Sequence, residues 1–524
     1  MSQSLSLSLA DLKANLVPFT THQVTSSLIW CAADVDDVQD LQKSCSYVVS
    51  PSAPGVSKVF QAERYGGSGI QLNGGGARCG FDGRYQVKGI GANPLVGEGS
   101  DWHHTNGALG VNQAIYEALW GEILSQTLPY GAVRTRAVLL TDEYIDLDFE
   151  RARGRSRRAL LVREPVVRPA HFERAPYFRP QAAYAAKLMH DAQRVKSVIP
   201  LLPASLPSPQ MGFSKESADD PRHYCLEGLC ELARRQAQQM AFCRTRFLML
   251  TTSPSNIAMD GRVLDFNGLT CLFPSDHHYS FEYQLKLTQL MREPAILLQG
   301  LSDLCLYLGK YLFDHAFTEF AQKRVENCFW LAFQDACCRG YTALLGIPVD
   351  RLSLTETPKV LQQLTNNFIQ LISNRSRALY FAPDAVTDES PLERLVMTLH
   401  RCSQGQIVPG CDDLLRDAHF AQTLRALTEA KQWLVETCHI QRFDAAFLLN
   451  GMEYQARLRL KPRSCLDKVR MLKEITELME TYGDDDQLLR QALSAMEAKT
   501  LAFAKEAFGY QPPSCHVARK DQKA

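Results

Sequence analysis

The chain carries no excess of either charge, since 57 lysines and arginines stand against 57 aspartates and glutamates. A balanced charge gives no whole-protein field, which argues against nucleic acid or an anionic membrane surface as a partner. Nor is there an apolar run of the roughly 20 residues needed to span a bilayer. The opening residues, MSQSLSLSLADLKANL, lack a basic segment followed by an apolar one, so no secretory signal is expected. The 16 cysteines occur singly, apart from Cys337–Cys338, and no CxxC is present. That spacing argues against a zinc knuckle and against a disulfide framework. Cys230, Cys243 and Cys328 fall inside apolar helical patterns, where a reduced cysteine packs as a small hydrophobe. A cytoplasmic protein is expected. The Walker pattern GxxxxGK[ST] is also absent.

What is present is a glycine-crowded stretch from Tyr65 to Glu122. Glycine lets backbone approach a ligand closely and adopt positive φ. Lys88 ends the short run that starts at Tyr85, and a helical pattern over Asn112–Ser125 carries Glu117. A lysine behind a glycine-rich loop can reach phosphates, and a helix carboxylate can hold that lysine in place. The helix is expected to be amphipathic, with Ala114, Ile115, Ala118, Leu119 and Ile123 on its apolar face. Glu122, one turn beyond Glu117, is the rival partner for the lysine.

Five segments are expected. Residues 1–60 form an N-terminal segment with strand-like runs such as Ser27–Cys31 and no evident chemistry. Residues 61–200 hold the glycine-rich region, the strand-like runs Tyr130–Thr141 and Ala159–Arg163, and a proline-broken stretch, Glu164–Pro180. Residues 201–290 begin with a loop-rich stretch between Pro200 and Pro221, followed by a helix over Cys225–Arg244 and a short strand over Phe247–Thr251. Residues 291–515 are almost wholly helical, with 3.6-residue periodicity over Gln284–His315, Phe317–Leu345, Pro358–Leu379, Leu392–Cys402, Asp413–Cys438 and Asp467–Phe508. Residues 516–524 are a polar tail.

Between the strand-like runs Asn256–Met259 and Arg262–Phe266 stands Asp260-Gly261, a strong hairpin signal. Such a hairpin brings Asn256 and Asp265 to one edge. There an asparagine carbonyl and a carboxylate can share a magnesium ion that bridges nucleotide phosphates. Asp265–Gly268 reads DFNG, in the place of the kinase DFG. The competing reading is a surface turn with Asp265 as an ordinary strand-end carboxylate. The order of glycine-rich loop, lysine, helix glutamate, asparagine, hairpin and aspartate favours the kinase-type site.

On these residues the chain resembles the SelO family, kinase-fold enzymes that transfer AMP to hydroxyl side chains. The resemblance rests on YGGSGIQLNGGGARCG with QVKGIGANP, on IYEALWGEIL, on ALLVREPVVRPAHFERA, and on SNIAMDGRVLDFNGLTCLFPSDHHYSFEYQ, covering roughly residues 60–285. It implies an α+β fold: a protein-kinase-like bilobal core with a largely helical C-terminal region. It implies ATP and Mg2+, nucleotide binding by Arg78, Lys88, Gly89, Arg163 and Arg168, the ion pair Lys88–Glu117, and metal binding by Asn256 and Asp265. Two positions depart from the family. Ser255 stands where the family has the aspartate that is the candidate general base, and Met249 where it has a histidine. A serine hydroxyl is no useful proton acceptor at neutral pH. The family's C-terminal redox cysteine motif is missing too.

The chain also resembles, more narrowly, the large MchC/MceJ proteins of siderophore-microcin maturation. That resemblance implies a peptide substrate, a microcin precursor, and an acyltransferase-like partner protein. The two would attach a glycosylated siderophore to the peptide C-terminus, whose carboxylate ATP would activate. A carboxylate acceptor is already anionic and needs no general base. Two other readings stand beside this one: protein AMP transfer to hydroxyl side chains, and a non-catalytic pseudokinase scaffold. His103 with His104 and His277 with His278 lack a third ligand at zinc spacing. The basic run Arg151–Arg158 has the charge to grip a phosphate-rich ligand or an acidic peptide, but a solvated loop is expected.

Overall fold

Strand-forming alternation in the first 165 residues builds one eight-stranded sheet. Its strands are β1 (Leu16–Gln23), β2 (Ser26–Cys31), β3 (Tyr47–Val48), β4 (Ser57–Glu63), β5 (Cys79–Phe81), β6 (Gln86–Lys88), β7 (Thr135–Phe149) and β8 (Ala152–Arg163). The order is β2-β7-β8-β6-β5-β4-β1-β3, and every pairing is antiparallel. The computed structural model describes residues 7–52, 55–100, 106–149, 152–208, 220–273, 281–373, 390–409 and 411–509. The two histidine pairs and the tail His516–Ala524 lie outside these residues.

Alternation sorts the central strands onto two faces. Ala137, Leu139, Leu160 and Val162 face one side with Phe60, Val87 and Leu41 of α1 (Val38–Cys45). Val138, Leu140, Ala159 and Leu161 face the other, against α2 (Val111–Thr127). Each valine, leucine or phenylalanine among them, when fully buried, contributes about 1.5–3 kcal/mol.

Among the described residues the further helices are α3 (Asp191–Val198), α4 (Pro221–Thr245), α5 (Phe281–Tyr311), α6 (His315–Leu344), α7 (Lys359–Ser373), α8 (Pro391–Ser403), α9 (Ala418–Gln441), α10 (Ala445–Leu460), α11 (Lys468–Tyr482) and α12 (Asp486–Phe508), with two shorter α-helices and six 3-10 turns beside them. The architecture is therefore mixed α/β, with the large sheet in the N-terminal third and mostly helices thereafter, apart from a two-stranded pairing of Leu248–Met249 with Thr270–Cys271. No helix among the described residues is long and apolar enough to cross a membrane.

Four expectations are corrected. Residues 1–60 are not a segment apart, because β1 to β3 and most of β4 come from them and complete the sheet. The described part of the basic run is not a loop but part of β8, with Asp146 opposite Arg155 and Tyr144 opposite Arg157. Helix α2 is buried on nearly every side rather than amphipathic. The sheet covers one side, and α11 and α12 return from the far end of the chain to cover another. Finally, Asp467–Phe508 is two helices, because Asp485 accepts the amides of Gln487 and Leu488 and starts α12 afresh.

Candidate functional site

The site begins with strand register. On β6, Gln86 and Lys88 point to the face that α2 covers, while Val87 points to the other. Arg163 of β8 lies directly opposite Gln86, and Cys79 of β5 opposite Lys88. Glu117 of α2 comes down onto this group. Lys88 Nζ donates to Glu117 Oε2 at 2.6 Å and to Asp265 Oδ1 at 2.7 Å. The other Glu117 oxygen takes Arg163 Nη1 at 3.3 Å, and Asn267 Nδ2 donates to Glu117 Oε2 at 2.7 Å. Lys88 is 1% exposed and Glu117 2%. Charges so buried persist only when paired and hydrogen-bonded. Glu122 is no partner here; it binds Arg134 at 3.2 Å.

Asp265 and Asn256 arrive together on the hairpin expected from Asp260-Gly261. Leu264 N donates to Asn256 O at 3.0 Å, Ala258 N to Arg262 O at 2.8 Å, and Gly261 takes φ of 93°. Its two arms are bridged at Ile257 and Val263 but are too short to form strands. The chain leaves the hairpin with Asp265 at φ 67°, a left-handed conformation that costs a non-glycine residue about 1–2 kcal/mol. Gly268 closes DFNG for a steric reason, since a Cβ there would lie 2.0 Å from Thr251 Oγ1. Burial by itself raises the Asp265 carboxyl, but Lys88, Arg78 and Arg163 outweigh it and hold the group well below the ordinary carboxylate range.

A second layer supports the arginines. Gln86 Oε1 accepts from Arg163 Nε and, at 3.3 Å, from Arg168 Nη2. Arg168 Nη1 also donates to Ser255 O at 2.9 Å. Its backbone N–H donates to His171 Nδ1 at 2.9 Å, so the His171 proton sits on Nε2, which faces Glu63 Oε2 at 3.5 Å. Burial lowers His171 further than Glu63 raises it, which keeps the ring neutral.

The glycine-rich loop packs directly on this floor. A Cβ at Gly69 would stand 2.4 Å from Ser253 Oγ and 2.6 Å from Ser255 Oγ. At Gly75, with φ of 142°, it would strike Glu63 O at 2.1 Å. Loop and floor enclose a cavity of about 170 Å³ lined by Arg78, Lys88, Arg163, Arg168, Asn256 and Asp265 together with Ser255 and loop glycines. Of the eight residues singled out from sequence, six therefore share one cavity wall. Glu117 sits behind Lys88. Gly89 is not at the cavity: it has φ of 93°, its carbonyl accepts from Arg158 at 2.9 and 3.1 Å, and a Cβ would strike Ala159 O at 2.6 Å.

Sequence reasoning missed Glu63, Gln86, His171 and Asn267. For Gln86 a signal existed, since a residue two before the lysine on a strand shares its face.

The donor set fits magnesium with polyphosphate. Asn256 and Asp265 supply two oxygens on one wall, and magnesium usually takes one or two protein oxygens and completes its shell with phosphates and water. Four cationic side chains and glycine backbone face the same space. Among the described residues no group of three or more His, Cys, Asp and Glu is gathered as a metal cage. Neither a protein-family model nor a curated protein matches the chain.

Proposed function

We propose that the chain is an ATP- and magnesium-dependent nucleotidyl- or phosphoryl-transferase with a kinase-like bilobal core, acting on a peptide carboxylate. The observation that carries this reading is the single cavity on which Arg78, Lys88, Arg163 and Arg168 meet Asn256 and Asp265. Four cations around two oxygen ligands suit a polyphosphate with its metal ion. At about 170 Å³ the cavity is smaller than the roughly 300–1,000 Å³ of pockets that enclose whole ligands. It takes the phosphates and leaves the rest of the nucleotide outside.

Lys88, fixed by Glu117, and the three arginines bind and orient the phosphates. Asn256 and Asp265 hold magnesium, which when bound neutralises charge developing on the transferred group. Ser255 offers no proton acceptor, and an acceptor that is already a carboxylate requires none. Its oxygen bonds to phosphorus as the bond to pyrophosphate or ADP breaks, giving an acyl-adenylate or acyl-phosphate. In the setting that the MchC/MceJ resemblance suggests, an acyltransferase-like partner then passes the acyl group to a glycosylated siderophore.

The test is mass spectrometry of the microcin-type precursor after incubation with ATP, magnesium, siderophore and partner. The expected result is an ester at the peptide C-terminus, with AMP or ADP released stoichiometrically, and loss of at least 100-fold in rate for Asp265→Ala. Unchanged turnover in that variant overturns the metal assignment. Transfer of labelled AMP to protein hydroxyls without any partner favours the SelO-like reading. Failure of ATP with magnesium to raise the unfolding temperature favours a scaffold, because a ligand specific to the native state must stabilise it.

A further inference from the structure

The two ends of the sheet are built differently. At one end β3 is only two residues long. At the other, β2 spans six residues and has β7 as its one strand neighbour among the described residues. Its sequence, SSLIWC, contains no proline and no charge, the usual devices by which an open edge is protected from other chains. The one irregularity is a bulge between Leu28 and Trp30, which turns Ile29 and Trp30 inward in succession.

All six residues of β2 line a groove of about 910 Å³ whose walls are α1 and α12. Side-chain contacts fix how these walls run. Gln42 Nε2 donates to Ser26 O at 2.6 Å, so the end of α1 lies by the start of the strand. Ser27 Oγ donates to Asp486 Oδ1 at 3.1 Å and Trp30 Nε1 to Glu497 Oε2 at 2.5 Å, so α12 runs alongside β2 from start to end. The groove is acidic at both ends. Asp486 lies against Ser27 at one end, with Asp484 and Asp485 just before it in the chain, and Glu497 lies against Trp30 at the other. Arg490 is the one cation among the lining residues.

We infer that this groove binds an extended peptide segment carrying lysine or arginine toward each end, added as a ninth strand against β2. The edge backbone beyond Ser26, whose carbonyl Gln42 already occupies, supplies affinity, and the acidic ends select a basic peptide over a neutral one. The site is separate from the phosphate cavity and does not rest on the reading of it. At strand spacings of about 4.8 Å, the added strand lies roughly 19 Å from β6, which carries Lys88.

The experiment selects phage-displayed random decapeptides on the full chain and compares binding to a Gln39→Trp/Ser494→Trp variant. Both positions are exposed on the groove walls, so the variant narrows the groove without touching the core. Its unfolding midpoint, checked first, is expected to match the parent. Expected are basic peptides that bind the variant at least 10-fold more weakly, lose affinity with added salt, and slow amide exchange at Ser26–Cys31. N-methylation of alternate peptide amides is expected to abolish binding. The inference is overturned if no peptides are recovered, if they bind both proteins equally, or if exchange at Ser26–Cys31 is unchanged. Protection of those amides without peptide, in a dimer that the variant disperses, assigns the edge to a second copy instead and overturns it as well.

Discussion

Glu63 and Glu173 both border the glycine-rich loop, both are at least 97% buried, and they are held in opposite states. Burial raises the Glu63 carboxyl, yet His171 and Arg168 more than offset this and keep it well below its ordinary range. Around Glu173 burial is reinforced by Asp303, Arg194 opposes it only in part, and the group is pushed up to about 8. Arg194 is otherwise engaged, with Asp191 at 2.7 Å and His171 O at 2.9 Å. Glu173 Oε1 has no hydrogen-bond partner among the described residues. Equal burial with unequal hydrogen bonding and charge thus yields an ionised network on the cavity side of the loop and a protonated acid under Gly67 and against α5.

The largest break in this comparison is expected from Glu117→Ala. It strips Lys88 and Arg163 of a shared buried carboxylate, and removing one partner of such a pair costs about 3–5 kcal/mol. Urea unfolding measures it, and adding Lys88→Met is expected to restore part of the loss. A cost below about 1 kcal/mol for the single variant contradicts the pairing.

Next comes Glu173→Gln, which tests the protonated side. A folded-state pKa raised from 4.5 to about 8 gives stability that is full below pH 4.5 and is lost as pH rises toward 8. The parent is therefore expected to lose a few kcal/mol from this group between pH 5 and pH 8. The glutamine variant removes that slope, which urea midpoints across the window read out. Parallel profiles for the two proteins reject the assignment.

The smallest effect belongs to Glu122→Gln. Its pair with Arg134 is partly exposed, so a cost below about 1 kcal/mol is expected, with no change in ATP affinity by calorimetry. A loss of affinity comparable with that of Glu117→Ala would return Glu122 to the role of lysine partner.

Much of the cavity was legible because its parts carry local signatures. A lysine at a strand end, a glutamate on a helix, and a hairpin marked by Asp260-Gly261 each follow from short-range pattern. Among the supporting residues Gln86 alone carried a local signal; that it meets Arg163 depends on cross-strand register, and no local pattern states which strands are neighbours. The same holds for Arg155, which has the look of a solvated loop until it is opposite Asp146. Helix α2 did carry a warning in Tyr116 and Trp120, which lie off its assigned apolar face and are 1% and 0% exposed.

Sequence alone determined the chemistry on offer: a neutral chain without metal-binding cysteine motifs, glycines able to adopt positive φ, and a lysine, a glutamate, an asparagine and an aspartate in kinase-like order. Those follow from residue identity and from interactions a few residues apart. Tertiary structure decided which charges are paired, that Gly89 turns away from the cavity, that Asn267 rather than Glu122 adds to the Lys88–Glu117 pair, and that α11 and α12 return to bury α2. Each depends on segments tens to hundreds of residues apart being brought into contact, and the free energy of a buried charge is set by those neighbours rather than by its place in the chain.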